Sequence, residues 1–230
     1  MKKIVSLLLI LTLALCLMGC SGKAPEILGV YETWVDMRTM MVESFDAGTG
    51  VADQMSLDSY LGVCGFVLVS EFREDGSYSQ YVDEASLQSC LDGLASAAIP
   101  FMQDFMVLAF QEQFAAMGVA VESVEDIEQT LGMSMDQVFE ESMGMGMEEM
   151  IEEIIAESFD LEQIMAESKT AGKYKARDGK MHMSDSPETD YSDSVYETYT
   201  IEGDTVTVTG GVGVTEEEIL PYPFTLVKVG

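Results

Sequence analysis

Strand-like segments stand at both ends of this chain, and a long helical block separates them. Aromatic and β-branched residues alternate with polar ones in these segments, and short turns such as Glu74-Asp75-Gly76 and Asp178-Gly179 join neighbours into hairpins. About eight short strands joined in this way predict a small antiparallel up-and-down β-barrel. The strands are expected over residues 29–37, 62–73, 77–82, 172–177, 180–184, 195–201, 205–209 and 224–229.

The helical block, residues 85–169, is expected to be an insertion after the third strand, which makes the fold class α+β. Its helices are short and marked by start signals: Ser123, Ser134, Gly146 and Asp160 each precede an apolar, acidic and apolar pattern typical of a helix N-terminus. Pro100 is expected to separate two helices. The barrel would then consist of residues 27–84 and 170–230.

Five short motifs, in order along the chain, resemble those of bacterial lipocalin-like lipoproteins. The resemblance covers the strands and none of the helical block, and it implies a barrel that binds a small ligand. The motifs are Gly29-x-Tyr31-x-x-Trp34, Phe72-x-x-Asp75-Gly76-x-Tyr78, Gly172-x-Tyr174, Tyr199-x-Ile201-x-Gly203-Asp204 and Phe224-x-x-Val227-Lys228.

The N-terminus has the layout of a secretory signal over residues 1–19, in which Lys2 and Lys3 precede an apolar run. The run ends at Leu17-Met18-Gly19-Cys20, which resembles a lipobox and implies that Cys20 is lipidated and begins the mature chain. A transmembrane anchor fits less well, because the run is shorter than the roughly 18 residues needed to span a bilayer. Residues 20–26 would tether the fold to the bacterial cell membrane on its extracytoplasmic side, or to the outer membrane in a Gram-negative host.

The formal net charge of −30 limits the partners of the folded part. Such a chain is repelled by nucleic acid and by anionic lipid, so neither is expected to bind it, and attachment to a membrane requires the lipid at Cys20. The acidic residues concentrate in the helical block, since no Lys, Arg or His occurs between Glu74 and Ser168.

Two cysteines remain in the mature chain after Cys20, and the sequence leaves their state open. Cys64 lies in an apolar strand-like run and Cys90 on an apolar helical face. A disulfide is permitted outside the cytoplasm, and two buried thiols are equally compatible with these surroundings.

Enzymatic chemistry is not expected, and neither are catalytic residues or a cofactor. The single histidine, His182, has the surroundings of an ordinary strand residue, and paired carboxylates such as Glu148-Glu149 are typical of a solvated helix face in so acidic a chain. Met143, Met145, Met147 and Met150 have a spacing that resembles Cu(I) sites, to which His182 with Met181 and Met183 would add. We favour the interpretation that these methionines pack between short helices.

The function expected from the sequence is therefore a membrane-anchored extracytoplasmic binding protein, either for a small apolar ligand or for a protein partner. A ligand in the barrel would contact aromatic residues of the strands. The alternative is an interaction protein whose barrel is filled and whose Met-rich helices bind a partner. The candidate lining residues are Tyr31, Trp34, Phe66, Tyr78 and Tyr174.

Overall fold

A computed structural model describes residues 26–39, 41–43, 55–214 and 220–230 of the chain. The expected signal segment, Cys20 and the tether up to residue 25 lie outside the described residues.

Eight antiparallel strands form a closed barrel in which neighbours in sequence are neighbours in space. The last strand pairs with the first, with Val30 opposite Val229 and Glu32 opposite Val227. The fold class predicted from the sequence is thereby confirmed. The strands are β1 (Gly29–Asp36), β2 (Gly65–Phe72), β3 (Ser77–Val82), β4 (Thr170–Arg177), β5 (Lys180–Met183), β6 (Tyr196–Glu202), β7 (Thr205–Val212) and β8 (Phe224–Val229).

The hairpins of the barrel close where the sequence carries turn residues. Between β4 and β5, Asp178 and Gly179 both have positive φ, 54° and 72°, as the favoured two-residue hairpin turn requires. Between β2 and β3, the Asp75 carboxylate accepts hydrogen bonds from the Ser77 N–H at 2.9 Å and from its hydroxyl at 2.6 Å. This local pairing holds the turn and fixes the register of the two strands.

Five helices follow β3 and precede β4. The first is continuous across Pro100, contrary to the break expected there, because residues on both sides of the proline, Ala98 and Val107, are buried in one core cluster that holds the helix together. The helices are α1 (Glu84–Ala115), α2 (Val124–Leu131), α3 (Met135–Met143), α4 (Met147–Ser158) and α5 (Leu161–Glu167).

The four start signals seen in the sequence are the N-caps of α2 to α5. The Ser123 hydroxyl accepts a hydrogen bond from the Asp126 N–H, and Ser134 forms a reciprocal capping box with Gln137. The Asp160 carboxylate accepts a hydrogen bond from the Gln163 N–H and so caps α5. Gly146 precedes α4 without a side-chain cap. These short helices therefore begin where their own sequences direct.

The chain divides into two compact units. Among the described residues, the barrel unit holds 26–35, 66–87, 160–214 and 220–230, and so nearly all of the strand residues. The helical unit holds the described residues of 36–65 together with 88–159. Cys64 and Cys90 form a disulfide within the helical unit, with a Cα–Cα distance of 4.8 Å. This resolves the alternatives left open by the sequence in favour of the bonded form.

Candidate functional site

Aromatic side chains fill part of the barrel interior. The Phe72 ring lies at the centre, with ring centroids 4.9 Å from Tyr174, 5.8 Å from Tyr31 and 6.3 Å from Tyr78. All four residues, together with Tyr199, belong to one buried cluster of the barrel unit. This arrangement is a packed core of edge-to-face and stacked rings.

The tyrosine hydroxyls of this cluster are used in bonds that hold the barrel together. Tyr174 donates to the carbonyl of Ile27 at 2.7 Å, and Tyr199 donates to the Glu26 carboxylate at 2.6 Å. Burial raises the pKa of both hydroxyls far above the ordinary value, so they stay protonated donors at neutral pH. Tyr78 similarly donates to the carbonyl of Ser184 at 2.7 Å.

The structure places the expected lining residues in three settings. Tyr31, Tyr78 and Tyr174 belong to the barrel cluster, and Phe66 is buried on β2 outside that cluster. Trp34 differs from the expectation, because the alternation along β1 turns it to the outer face, where it is 49% exposed.

Phe72 is the central residue that the sequence reasoning did not include among the lining positions. Two signals could have found it. Phe72 stands directly opposite Tyr78 in the β2–β3 register, and it opens the same Phe-x-x-Asp-Gly motif that pointed to Tyr78. Residues opposite each other in an antiparallel pair point to the same face, so an inward Tyr78 requires an inward Phe72.

A row of polar side chains lies one inward position beyond the aromatic cluster. Ser70 stands opposite Gln80, which stands opposite Thr170, and the Gln80 amide donates to the Ser70 hydroxyl at 3.0 Å. Thr33 follows Tyr31 on the inward face of β1, in the same direction along the barrel. We call these four residues the polar girdle.

Two hydroxyls of the polar girdle are buried without a hydrogen-bond partner among the described residues. They are Thr33 Oγ1 and Thr170 Oγ1, on residues that are 2% and 8% exposed. Burying a hydroxyl without a partner costs roughly 1–3 kcal/mol, so a polar atom of a water or a ligand would be bound here. Above and below the girdle the inward residues are apolar and buried, with Leu68 and Val82 on one side and Phe72 on the other.

The outer face of β5 carries the chain's histidine under aromatic and cationic side chains. The His182 ring stacks on Tyr191 with centroids 5.4 Å apart and lies 5.5 Å from Tyr196. The Lys175 ammonium lies 5.1 Å from the centroid of Tyr191, and that of Lys180 lies 4.3 Å from the centroid of Tyr196. These cation–π contacts cover the histidine and leave it 8% exposed.

The methionines weighed as Cu(I) ligands have separate environments. Met143 is 59% exposed at the end of α3, whereas Met147 is buried in the core of the helical unit and Met150 packs against that core half-buried. Met145 is half-buried in the turn between α3 and α4. In β5, Met181 and Met183 point into the barrel while His182 points outward. Among the described residues, no three His, Cys, Asp or Glu side chains are grouped as metal ligands.

Six apolar side chains of the helical unit lie at the edge of its core cluster, five of them half-buried and one exposed. Met102, Met106 and Phe110 follow one another at intervals of four residues on α1 and pack half-buried against the core cluster of this unit. On α4, Met150 and Ile155 do the same, and Ile154 is 51% exposed. We call these six residues the apolar seam.

Helix α1 is also the one helix among the described residues that is long and apolar enough to cross a membrane by length and composition. The core helix of a soluble protein meets the same criteria. Ala98, Val107 and Phe114 of α1 are buried in the core cluster of the helical unit, and Cys90 near its start forms the disulfide. Three residues of α1 therefore pack into the core cluster of this unit.

The charges around the apolar seam have a single sign. Residues 88–159 contain 15 Asp and Glu and no Lys, Arg or His. None of the four ion pairs formed by described residues involves this segment. The segment 88–159 therefore combines partly exposed apolar side chains with negative charge that no basic residue of the segment compensates.

Comparison of the chain with family models, with curated proteins and with solved structures returns no match.

Proposed function

We propose that this protein is a lipid-anchored, extracytoplasmic binding protein whose barrel is a filled scaffold and whose helical unit binds a protein partner. The observation that carries the proposal is the apolar seam, in which Ile154 is exposed and five further apolar side chains are half-buried beside the core cluster. Apolar side chains grouped at a surface are typical of protein interaction sites. Methionine is suited to this role because its flexible thioether adapts to different partner shapes.

The packed aromatic cluster inside the barrel supports assigning the binding role to the helices. A lipocalin-like site needs room among the inward residues, and here Phe72 and its tyrosine neighbours occupy that space. The hydroxyls of Tyr174 and Tyr199 bond to groups of the barrel unit itself, so they are engaged before any ligand arrives. The barrel then serves to hold its attached helices near the membrane, and no reaction is assigned to the protein.

Two features support the extracytoplasmic, anchored location. The N-terminal residues resemble a lipoprotein signal ending at Cys20, and the Cys64–Cys90 disulfide is of a kind that persists outside the reducing cytoplasm. Replacing Cys20 by Ser should release the protein from the membrane fraction. A variant that stays in the membrane would instead indicate an uncleaved N-terminal helix.

Site-specific photo-crosslinking in host cells tests the binding role. A photoreactive amino acid at position 154 should give one defined crosslinked product, because Ile154 belongs to the apolar seam. Trp34 is the matched control, since it is also apolar and about equally exposed, 49% against 51%, but lies on the barrel. Equal product patterns from the two positions, or none from position 154, would reject the helical unit as the binding surface.

A second function is favoured by a specific observation, the unpartnered hydroxyls of Thr33 and Thr170 in the polar girdle. A small ligand with one or two polar atoms would satisfy them, as a lipocalin-like barrel would allow. Such a ligand should be retained by the purified protein and lost when Thr33 is replaced by Val, which has the same shape without the hydroxyl. Retention of the same adduct by Thr33→Val would exclude the girdle as its site.

A further inference from the structure

The geometry points to a cationic amphipathic helix of a partner protein as the occupant of the apolar seam. This inference rests on the proposed function and adds the chemistry of the partner to it.

The spacing of the seam residues suits a helix. Met102, Met106 and Phe110 recur every four residues on α1, and Met150 and Ile154 do so on α4, so each helix presents a stripe of side chains one turn apart. Both stripes border the same buried cluster. An amphipathic helix lays its own stripe of apolar residues into such a surface, with anchors at intervals of three or four residues.

The charge pattern selects a cationic partner. Exposed carboxylates on α4 recur one turn apart at Glu149, Glu153 and Glu157, beside Ile154 of the seam. Like charges at this spacing repel one another and destabilise an isolated helix. No basic residue of the segment 88–159 relieves the repulsion, because the segment has none. Lysine or arginine residues on the polar face of a bound helix would relieve it.

The same charges disfavour other occupants of the seam. A second copy would bring an equal set of 15 carboxylates into contact with the first, and anionic lipid would likewise be repelled. A neutral or acidic helix would match the apolar stripes but leave the carboxylates uncompensated. The cationic amphipathic helix is the occupant that satisfies both features of the surface.

The test uses residues 22–230 and a labelled synthetic peptide of Leu and Lys, about 18 residues long, patterned as an amphipathic helix of five turns. Fluorescence anisotropy should show saturable binding, and circular dichroism should show the peptide becoming helical. A scrambled peptide of the same composition should bind at least about tenfold more weakly, which corresponds to about 1.4 kcal/mol. Equal binding of the two peptides would show a nonspecific charge effect and overturn the inference.

Variants of the protein locate the binding surface. Ile154→Gln should weaken peptide binding by about tenfold or more, since anchors that become buried dominate such interfaces. The double variant Met106→Gln with Ile154→Gln should do the same. Met117→Gln is the matched control, because Met117 is 62% exposed and lies outside the seam. Ile154 is itself exposed, so its substitution should leave the fold intact. If Met117→Gln weakened binding as much as Ile154→Gln did, the seam would not be the site.

The contribution of charge is tested separately. Glu149→Gln with Glu153→Gln should weaken binding several-fold and reduce its dependence on salt, whereas Glu32→Gln on the outer face of β1 should not. Unchanged affinity in the double variant would reject the cationic requirement. Dimerisation of the protein that Ile154→Gln abolishes, or binding to neutral vesicles that competes with the peptide, would name another occupant and also overturn the inference.

The outcomes separate this inference from the proposed function. A defined crosslinked product from position 154 with no binding of the cationic peptide would keep the helical unit as the binding surface and reject the partner chemistry. Peptide binding that responds to Ile154→Gln but not to Met117→Gln would support both. Absence of a product and of peptide binding would reject both.

Discussion

Gly172 is the residue at which the barrel tolerates a side chain least. A Cβ built there would lie 1.8 Å from the carbonyl oxygen of Ser184 and 2.7 Å from the Tyr78 ring. The backbone at Ser184, directly after β5, therefore occupies the space that a side chain at position 172 of β4 would need. Gly172→Ala should lower the free energy of unfolding by about 3 kcal/mol or more, measured by urea denaturation.

Gly210→Ala is the control for Gly172→Ala. It is also a strand residue of the barrel, and its added Cβ would meet the Thr198 hydroxyl at 3.6 Å, an ordinary contact. Gly210→Ala should therefore change stability by less than about 1 kcal/mol. A similar loss of unfolding free energy in both variants would contradict the close approach of the Ser184 backbone to Gly172.

His182 gives the barrel a pH dependence whose sign is fixed by its surroundings. Burial lowers the pKa of His182 from its ordinary 6.5, and Lys175 acts in the same direction, while the Val195 carbonyl and Asp193 oppose them. The folded protein then binds a proton less readily than the unfolded chain does. This contribution to stability is present above pH 6.5 and is lost as the pH falls below that value.

Protonation of the many carboxylates also changes stability in acid, so the contribution of His182 is measured by comparing the wild type with His182→Gln. Between pH 7 and pH 5, the wild type should lose more unfolding free energy than His182→Gln. The measurement is urea denaturation of both proteins across that range. Equal losses of unfolding free energy in the two proteins would show that folding does not change the pKa of His182.

Single residues also show what the sequence could predict of the interior. The motifs identified Tyr78 and Tyr174 as inward aromatics because both belong to hairpins whose register is local. The orientation of Trp34 was not predictable in the same way. Tyr31 and Trp34 are three residues apart and so point to opposite faces of a strand, and only the long-range packing of β1 against Phe72 decides which of them is inside.

At the scale of elements, the Cys64–Cys90 disulfide ties the segment before β2 to α1. The cysteines are 26 residues apart, and closing a loop of that length stabilises a fold by about 3–4 kcal/mol in the chain-entropy model. Replacing both cysteines by Ala should lower the stability of the helical unit by about that amount, measured by thermal denaturation. A reducing agent should have no further effect on the stability of this variant. A variant with the same melting temperature as the wild type would contradict the prediction.

Helix α1 offers a substitution that should stabilise the protein. Gly93 lies within the helix, and an added Cβ would meet no atom within 4 Å. Gly93→Ala should raise the unfolding free energy by about 0.5–1 kcal/mol, since alanine loses less backbone entropy in a helix. Urea denaturation checks this, and a destabilised variant would show that the neighbouring surface is closer than the structure places it.

Elements differ in how far their own sequences determine them. The N-caps of α2, α3 and α5 were predictable, because Ser123, Ser134 and Asp160 act within one helical turn. The continuity of α1 through Pro100 was not predictable from local rules. It depends on tertiary burial on both sides of the proline, which outweighs the local penalty.

For the whole molecule, the number of strands and their turn signals predicted the barrel, whereas the register that closes it was not predictable from the sequence. Pairing of Tyr31 with Lys228 joins residues from opposite ends of the chain, and no local pattern specifies it. The acidic character of the helical unit was visible in the sequence, whereas the apolar seam became visible only when burial distinguished Met147 in the core from Met150 at its edge.

A filled barrel that leaves binding to the helical unit should retain no small molecule. Native mass spectrometry of residues 22–230 after exposure to a lipid extract of the host measures this. The spectrum should show the mass of the polypeptide alone. A retained organic adduct of a few hundred daltons that is lost in Thr33→Val would contradict it and show that the barrel interior holds a ligand.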